Sequence, residues 1–177
     1  MVKGESKLKR LLIYIIKRII VLSICVTILV MAFTISSKMS NIFIILNDGM
    51  KARTEAILKE DSTDLIEFFS ESCLENDSML LNNPYMDYVI SNYYYSLKIK
   101  SISLMPWSKK ATAVVEQNVL NINGEINELV KAGYEGDDVP LAPPSWDQTE
   151  YKIELKQTNN SRWYINNITE IPLNGEN

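Results

Sequence analysis

Residues Tyr151–Ile171 read YKIELKQTNNSRWYINNITEI, and this stretch decides the fold class of the chain. Apolar and charged side chains alternate in its first half, as they do in a strand with one buried face. Thr158–Ser161 then supplies turn residues, and a second apolar series follows with Trp163, Ile165 and Ile168. We therefore predict an antiparallel hairpin here.

A second hairpin is predicted upstream. From Tyr93 the apolar residues occur at every other position, and beyond Lys100 they shift by one residue, which indicates a bulge near Lys100–Ser101. Turn residues follow at 106–109, and Lys110–Asn121 alternates again. The sequence thus predicts about four antiparallel strands.

Large aromatic side chains are concentrated on these strands. Aromatic residues at alternating strand positions usually fill a core, but a concave sheet can also use them to line an apolar ligand pocket. The candidates for core or pocket are Tyr93, Tyr95, Leu97, Trp107 and Trp163.

The two hairpins are separated by a long insertion, residues 124–148, which is rich in Gly, Pro and acidic residues. Its start, Glu125–Ala132, is predicted as either a short helix or a continued strand. Loops of this length often carry function, so we interpret the rest as a partner-binding loop with an exposed Trp anchor, or as a tolerated surface insertion. The candidate contact residues are Asp137, Asp138, Pro143, Pro144 and Trp146.

Helical patterns precede the strands. Apolar residues recur at spacings of three and four over Lys38–Glu60 and again over Asp61–Glu75, and Asn82–Pro84 carries the signals that begin a third, short helix. The first pattern fits either a stalk or the first helix of the domain. With the strands, these helices predict an α+β domain over residues 38–177.

The stretch Ile19–Ser37 contains no charged residue and matches the ~20 residues that a helix needs to cross a bilayer. Six basic residues and one acidic residue precede it, whereas 12 basic and 21 acidic residues follow it. By the positive-inside rule, residues 1–18 form a short cytoplasmic tail and the acidic remainder is exported. We predict a single-pass protein of the cell membrane.

Three alternatives to a membrane anchor apply to this segment: a cleaved signal peptide, a lipoprotein signal and a buried helix of a soluble protein. A cleaved signal peptide has a shorter apolar region that ends in a small-residue site, and neither feature is present here. Leu22–Cys25 is similar to a lipoprotein signal, but Ile24 stands where a small residue is expected. A buried helix of a soluble protein is the remaining alternative.

The composition argues against several kinds of function. The chain has no His, and its two Cys are Cys25 in the apolar run and Cys73. The acidic balance of the part after the apolar run disfavours nucleic acid and anionic lipid headgroups as primary partners. Acidic loop residues offer too few ligands for a predicted metal site, and no cofactor is expected. We predict a non-catalytic protein; the best enzymatic alternative is carboxylate chemistry at Asp61, Asp64 or Asp87.

The order of helices followed by a strongly bent antiparallel sheet, with Arg162–Trp163 opening the final strand, resembles the NTF2-like (cystatin-like) α+β superfamily over Asn41–Ile171. The resemblance implies a cone-shaped fold and assigns no site residue. Residues 124–148 depart from the family pattern and put the pairing at the sheet edge in question.

An anchor with one such domain is also similar to envelope components of bacterial conjugation and secretion channels, in which the domain mediates assembly. Abundant Ile, Asn and Lys suit a Gram-positive bacterium of low GC content. We expect the partners to be other envelope proteins or further copies of the chain. The alternative is a membrane-anchored module that binds a small ligand in the concave sheet.

Overall fold

The computed structural model describes residues 3–132 and 142–172, with side chains from residue 9 onward. The chain divides into two compact units, residues 1–38 and 39–177. The elements are α1 Lys3–Lys59, α2 Leu65–Phe68, α3 Glu71–Glu75, α4 Ser78–Leu81, β1 Tyr88–Leu104, β2 Lys110–Ile126, α5 Glu128–Lys131, β3 Thr149–Gln157 and β4 Trp163–Ile171.

The first unit, residues 1–38, contains the apolar segment of α1 together with the basic residues that precede it. By length and composition, α1 is the one helix among the described residues that could cross a membrane, and its apolar side chains are exposed, Phe33 at 78 %. The hydroxyl of Thr27 donates to the carbonyl of Ser23, and that of Thr34 donates to Val30. These bonds satisfy the hydroxyl groups inside the helix, as an apolar environment requires.

The remainder of α1 belongs to the second unit and forms its central helix. Ile42, Leu46, Met50, Thr54 and Ile57 recur at helical spacing and are almost completely buried. Residues 39–59 are therefore part of the folded domain and do not form a separate stalk.

The four strands form one open antiparallel sheet in the order β1-β2-β3-β4, which confirms the predicted number of strands and the two hairpins. The pairing of β2 with β3, which joins the hairpins, was not predicted. A register shift between Ile99 and Ser101 confirms the predicted bulge. Two further shifts lie between Ile90 and Tyr94. Ile153, Leu155, Trp163 and Ile165 of the second hairpin pack with α1 in the main core.

The helix predicted over Asp61–Glu75 is broken. Phe69 leaves the helical path to form a bridge with Ile165 of β4, and the backbone N–H of Ser70 donates to the Ile165 carbonyl at 2.9 Å. The Ser70 hydroxyl then accepts from the backbone N–H of Cys73 and caps α3. Pairing with the sheet edge outweighs helix continuity here.

The helix predicted from Asn82–Pro84 is wrong, because the third short helix, α4, lies upstream and is capped by Asp77. The Asn83 side chain instead accepts from the Tyr85 backbone N–H at 2.9 Å and donates to the Ile57 carbonyl at 2.7 Å. These bonds fix a turn that leads into β1, which begins at Tyr88 and not at Tyr93.

The start of the insertion contains both structures that the sequence allowed. β2 continues to Ile126, and the Asn127 side chain then caps α5 by accepting from the Leu129 backbone N–H. Gly124 permits the close approach of β1, since a Cβ there would lie 2.8 Å from the carbonyl oxygen of Val89.

Candidate functional site

The sheet face that packs on α1 is filled by side chains. Trp163 is 1 % exposed and lies in the main core, where Leu97 packs against it from β1. Tyr93 and Tyr95 pack against a second, smaller core cluster around Ile57. Four of the five aromatic and apolar candidates thus contribute to packing at this face.

Trp107 is the exception. Its side chain is 77 % exposed in the turn that joins β1 to β2, beside Met105, which is 60 % exposed. It contributes to neither the core nor a concave pocket.

Trp146 corrects the expectation of an exposed anchor in the insertion. It is 7 % exposed and stacks on Tyr85, with ring centroids 5.8 Å apart and planes at 17°. Because an aromatic pair of this kind secures a loop to its own domain, Trp146 holds residues 142–148 in place. Pro144 is exposed and Pro143 is half-buried; Asp137 and Asp138 lie outside the described residues.

Pro143 borders an open cleft of about 420 Å³ at the end of the sheet where β1 begins and β2 ends. We call it the distal cleft. Its apolar walls come from Val89, Ile122 and Pro143, and polar groups come from the strands between them. The cleft is lined by Val89, Ser91, Ile122, Asn123, Gly124, Glu125, Ala142 and Pro143.

Next to the distal cleft lies the outer edge of β1. β1 has 17 residues and pairs only with β2, and no backbone hydrogen bond joins its other edge to the described part of the chain. Between Tyr94 and Ile99 the register with β2 is regular, so a further strand has six residues available for pairing. Tyr94, 59 % exposed, lies opposite Leu120 on the outer face.

The other edge of the sheet differs. The first half of β4 is covered by the bridge between Phe69 and Ile165, and the Arg162 guanidinium donates to the Glu67 carbonyl at 2.7 Å. The short helices thus protect the β4 edge, whereas the β1 edge has no backbone partner within residues 3–132 and 142–172.

A buried ion pair joins α1 to α4. The Nε and Nη2 atoms of Arg53 donate to the two carboxylate oxygens of Asp77, the Nη2 bond being 2.8 Å, and Arg53 also lies over the Tyr151 ring. Burial acts to lower the pKa of Arg53, but the hydrogen bonds and charge of Asp77 outweigh it and raise that pKa. Arg53 therefore keeps its charge inside the domain.

The Arg53 Nη1 atom has no partner among the described residues. Arg53 lines a cleft of about 80 Å³ with Asp77, Tyr151 and Glu170. A space of this size holds ordered water or one small polar group and is well below the ~300 Å³ of a typical ligand pocket. In the sequence, Arg53 stands among apolar residues that recur at helical spacing in α1, and this position was the signal that its side chain is buried.

Two described residues with potential for covalent or acid–base chemistry, Cys73 and Asp61, have shifted pKa values. Burial, with the charge of Asp77 second, raises the pKa of the Cys73 thiol to about 11, which disfavours the thiolate nucleophile. Asp61 is exposed and accepts from the Thr63 hydroxyl at 2.7 Å, which lowers the pKa of that carboxyl. Within residues 3–132 and 142–172, no three His, Cys, Asp or Glu side chains lie close enough together to hold a metal ion.

No protein family model, no curated protein and no solved structure matches this chain.

Proposed function

We propose that the protein is a non-catalytic, single-pass membrane protein whose C-terminal domain assembles with other envelope proteins, or with copies of itself, outside the cytoplasm. The open edge of β1, bordered by the distal cleft, is the observation that carries this proposal.

The membrane part of the proposal is supported by the apolar segment of α1 and by charge. A helix that could cross a membrane follows a basic N-terminus and precedes an acidic domain, which favours a cytoplasmic N-terminus. The bacterial cell membrane, a Gram-positive host and a place in a conjugation or secretion channel belong to the proposal, as does the NTF2-like cone.

The assembly part is supported by the chemistry of the β1 edge. Free backbone donors and acceptors over Tyr94–Ile99 can bind an extended segment by strand addition, and side-chain pockets then give specificity. Val89, 62 % exposed, and Tyr94 provide apolar contact area beside that edge. A partner strand would thus gain both backbone hydrogen bonds and apolar contacts.

The experiment is site-specific photocrosslinking in the host cell. The photoreactive residue p-benzoylphenylalanine replaces Tyr94 or Val89 in the full-length protein, and in control strains it replaces Ile66 or Leu81. The controls are matched in exposure, since Ile66 is 83 % and Leu81 65 % exposed. Ile66 lies on α2, which packs at the β4 edge of the sheet, and Leu81 lies on α4, outside the sheet.

Adducts formed from Tyr94 and Val89, and not from the control positions, would support assembly through β1. An adduct of twice the protein mass would identify self-association, and mass spectrometry would identify any other partner. Full-length protein that gives no adduct from Tyr94 or Val89 would contradict the proposal.

The ligand-binding alternative has less support, because Trp163 and Leu97 fill the sheet face that it requires. The cleft beside Arg53 is too small for a cell-wall fragment or a lipid chain.

A further inference from the structure

We infer that the domain makes a second contact with the membrane, through the turn between β1 and β2 and the adjacent turn between β3 and β4, and that lipid covers the exposed Trp107. This inference rests on the proposed membrane anchorage. We call this part of the domain the turn surface, residues 105–110 and 156–162.

The two turns lie side by side. Lys110 pairs with Lys156 across β2 and β3, and the backbone N–H of Gln157 donates to the Lys109 carbonyl at 2.8 Å. The Lys109 ammonium also donates to the side-chain oxygen of Asn159 at 3.2 Å. Both hairpins therefore present their turns on one surface.

The turn surface lies at the end of the domain that is tethered next to the apolar segment. Ile102, two residues before the end of β1, lines an apolar depression with Met39, Phe43 and Ile44 at the start of the second unit. Helix rise places Phe43 only about 9 Å of chain beyond Ser37. Along the chain, this end of the domain is therefore the part that follows the apolar segment most closely.

The side chains at this end match a membrane interface. Trp107 and Met105 are 77 % and 60 % exposed, and Phe43 and Ile44 are each 53 % exposed. Exposed Trp is characteristic of the headgroup layer, where its ring is apolar and its N–H remains hydrated. An aqueous location would leave all four apolar side chains in water.

Charge also distinguishes this end. The turn surface contains four basic residues, Lys109, Lys110, Lys156 and Arg162, and no acidic residue of its own, although the domain as a whole is acidic. One carboxylate approaches from outside these ranges, that of Glu67 on α2, at 3.8 Å from Arg162. Basic residues near anionic lipid contribute about 1 kcal/mol each. The opposite end, by contrast, carries Glu60, Asp87, Glu125, Glu128 and Asp147 with Lys59 and Lys131.

Trp107 provides its own reporter. The chain has three Trp residues, and Trp146 and Trp163 are buried, so a quencher in the lipid can reach only Trp107. Full-length protein is reconstituted into vesicles of phosphatidylcholine and phosphatidylglycerol, with or without bromine on the upper acyl chains. Flotation of the vesicles first establishes whether the protein is held in the membrane.

We expect brominated vesicles to quench part of the emission of the wild-type protein and none of that of Trp107→Phe. A second variant adds Met86→Trp to Trp107→Phe. Met86 is 68 % exposed just before β1, at the far end of a strand up to about 50 Å long, so this Trp should escape quenching. In a third variant that keeps Trp107, Lys109→Glu is combined with Lys110→Glu. In anionic vesicles, its emission should be quenched less than that of the wild-type protein.

Protein that floats with the vesicles but shows no quenching of Trp107 overturns the inference and leaves the anchor intact. Equal quenching of Trp107 and of the Met86→Trp reporter overturns it as well, since the contact would not be specific to the turn surface. Protein that fails to float overturns the anchor itself, and this inference with it.

Discussion

Thr54 on α1 accepts a 2.9 Å hydrogen bond from the side-chain amide of Gln117 on β2, and both side chains are fully buried. The Thr54 hydroxyl donates in turn to the Met50 carbonyl. This polar contact fixes one position of the central helix against one position of the sheet, whereas apolar contacts alone tolerate sliding.

The Thr54–Gln117 contact predicts non-additive effects on stability. Thr54→Val leaves the amide of Gln117 unpaired in the core and should lower the free energy of unfolding by about 1–3 kcal/mol. Thr54→Val combined with Gln117→Leu removes both partners and should recover part of that loss. Urea unfolding of the wild-type protein, of both single variants and of the double variant, monitored by near-UV circular dichroism, gives the four free energies of unfolding. If the losses of the two single variants added up to the loss of the double variant, the contact would be contradicted.

The Arg53–Asp77 pair predicts a large effect from a small change. Asp77→Asn keeps the helix cap but leaves the buried guanidinium without its counter-charge, and we expect a loss of about 3–5 kcal/mol. Lys51→Gln, in the exposed pair with Glu55, is the control and should cost less than about 1 kcal/mol. Similar losses for the two variants in chemical unfolding would argue against a buried, charged pair.

Cys73 predicts a dependence of stability on alkaline pH. Its folded pKa of about 11 lies above the ordinary 9.0. The folded state therefore holds the proton more tightly, and this contribution to stability is complete below pH 9 and lost as the pH rises towards 11. The unfolding midpoint should fall across that range.

Cys73→Ala tests the source of this dependence. The substitution should lower stability at neutral pH through the lost packing, but the decline attributable to the thiol should disappear from the alkaline range. Burial, with the charge of Asp147 second, also raises the pKa of Tyr85 to about 12, so some decline should remain above pH 10, the ordinary pKa of Tyr. Identical pH slopes for the two proteins would contradict the assignment to Cys73.

Trp146 is predicted to stabilise the domain and not to contact a partner. Trp146→Ala removes a buried ring stacked on Tyr85 and should lower the free energy of unfolding by about 3–5 kcal/mol. Pro144→Ala, at an exposed position of the same segment, should change it by less than about 0.5 kcal/mol. Chemical unfolding of both variants provides the comparison, and an unaffected Trp146→Ala protein would refute the anchoring role.

The sequence predicts best where a pattern and its burial coincide. The alternation in Tyr151–Ile171 predicted the last hairpin, and the offset of apolar residues after Lys100 predicted the bulge, because side-chain parity in a strand follows directly from which face is buried. The apolar run Ile19–Ser37 predicted a helix able to cross a membrane, because the length and composition of such a helix can be read directly from the sequence.

The failures share one physical cause, which is contact between residues distant in sequence. Local spacing favours a helix through Phe69, but the backbone of Phe69 instead forms a β-bridge with Ile165, which is distant in sequence. Pro-rich surroundings suggested an exposed Trp146, but Tyr85 buries it. The Arg53–Asp77 pair and the open β1 edge depend on tertiary packing in the same way, so neither was predicted.

The packing of α1 against β4 also determines when the domain can fold during synthesis. α1 leaves the ribosome early, yet its buried face contacts Trp163 and Ile165, which are synthesised much later. The domain therefore cannot reach its native state until the strand that contains Ile165 has been translated. If the domain is exported from the apolar segment onward, as we propose, α1 crosses the membrane before the strand that completes its core has been made.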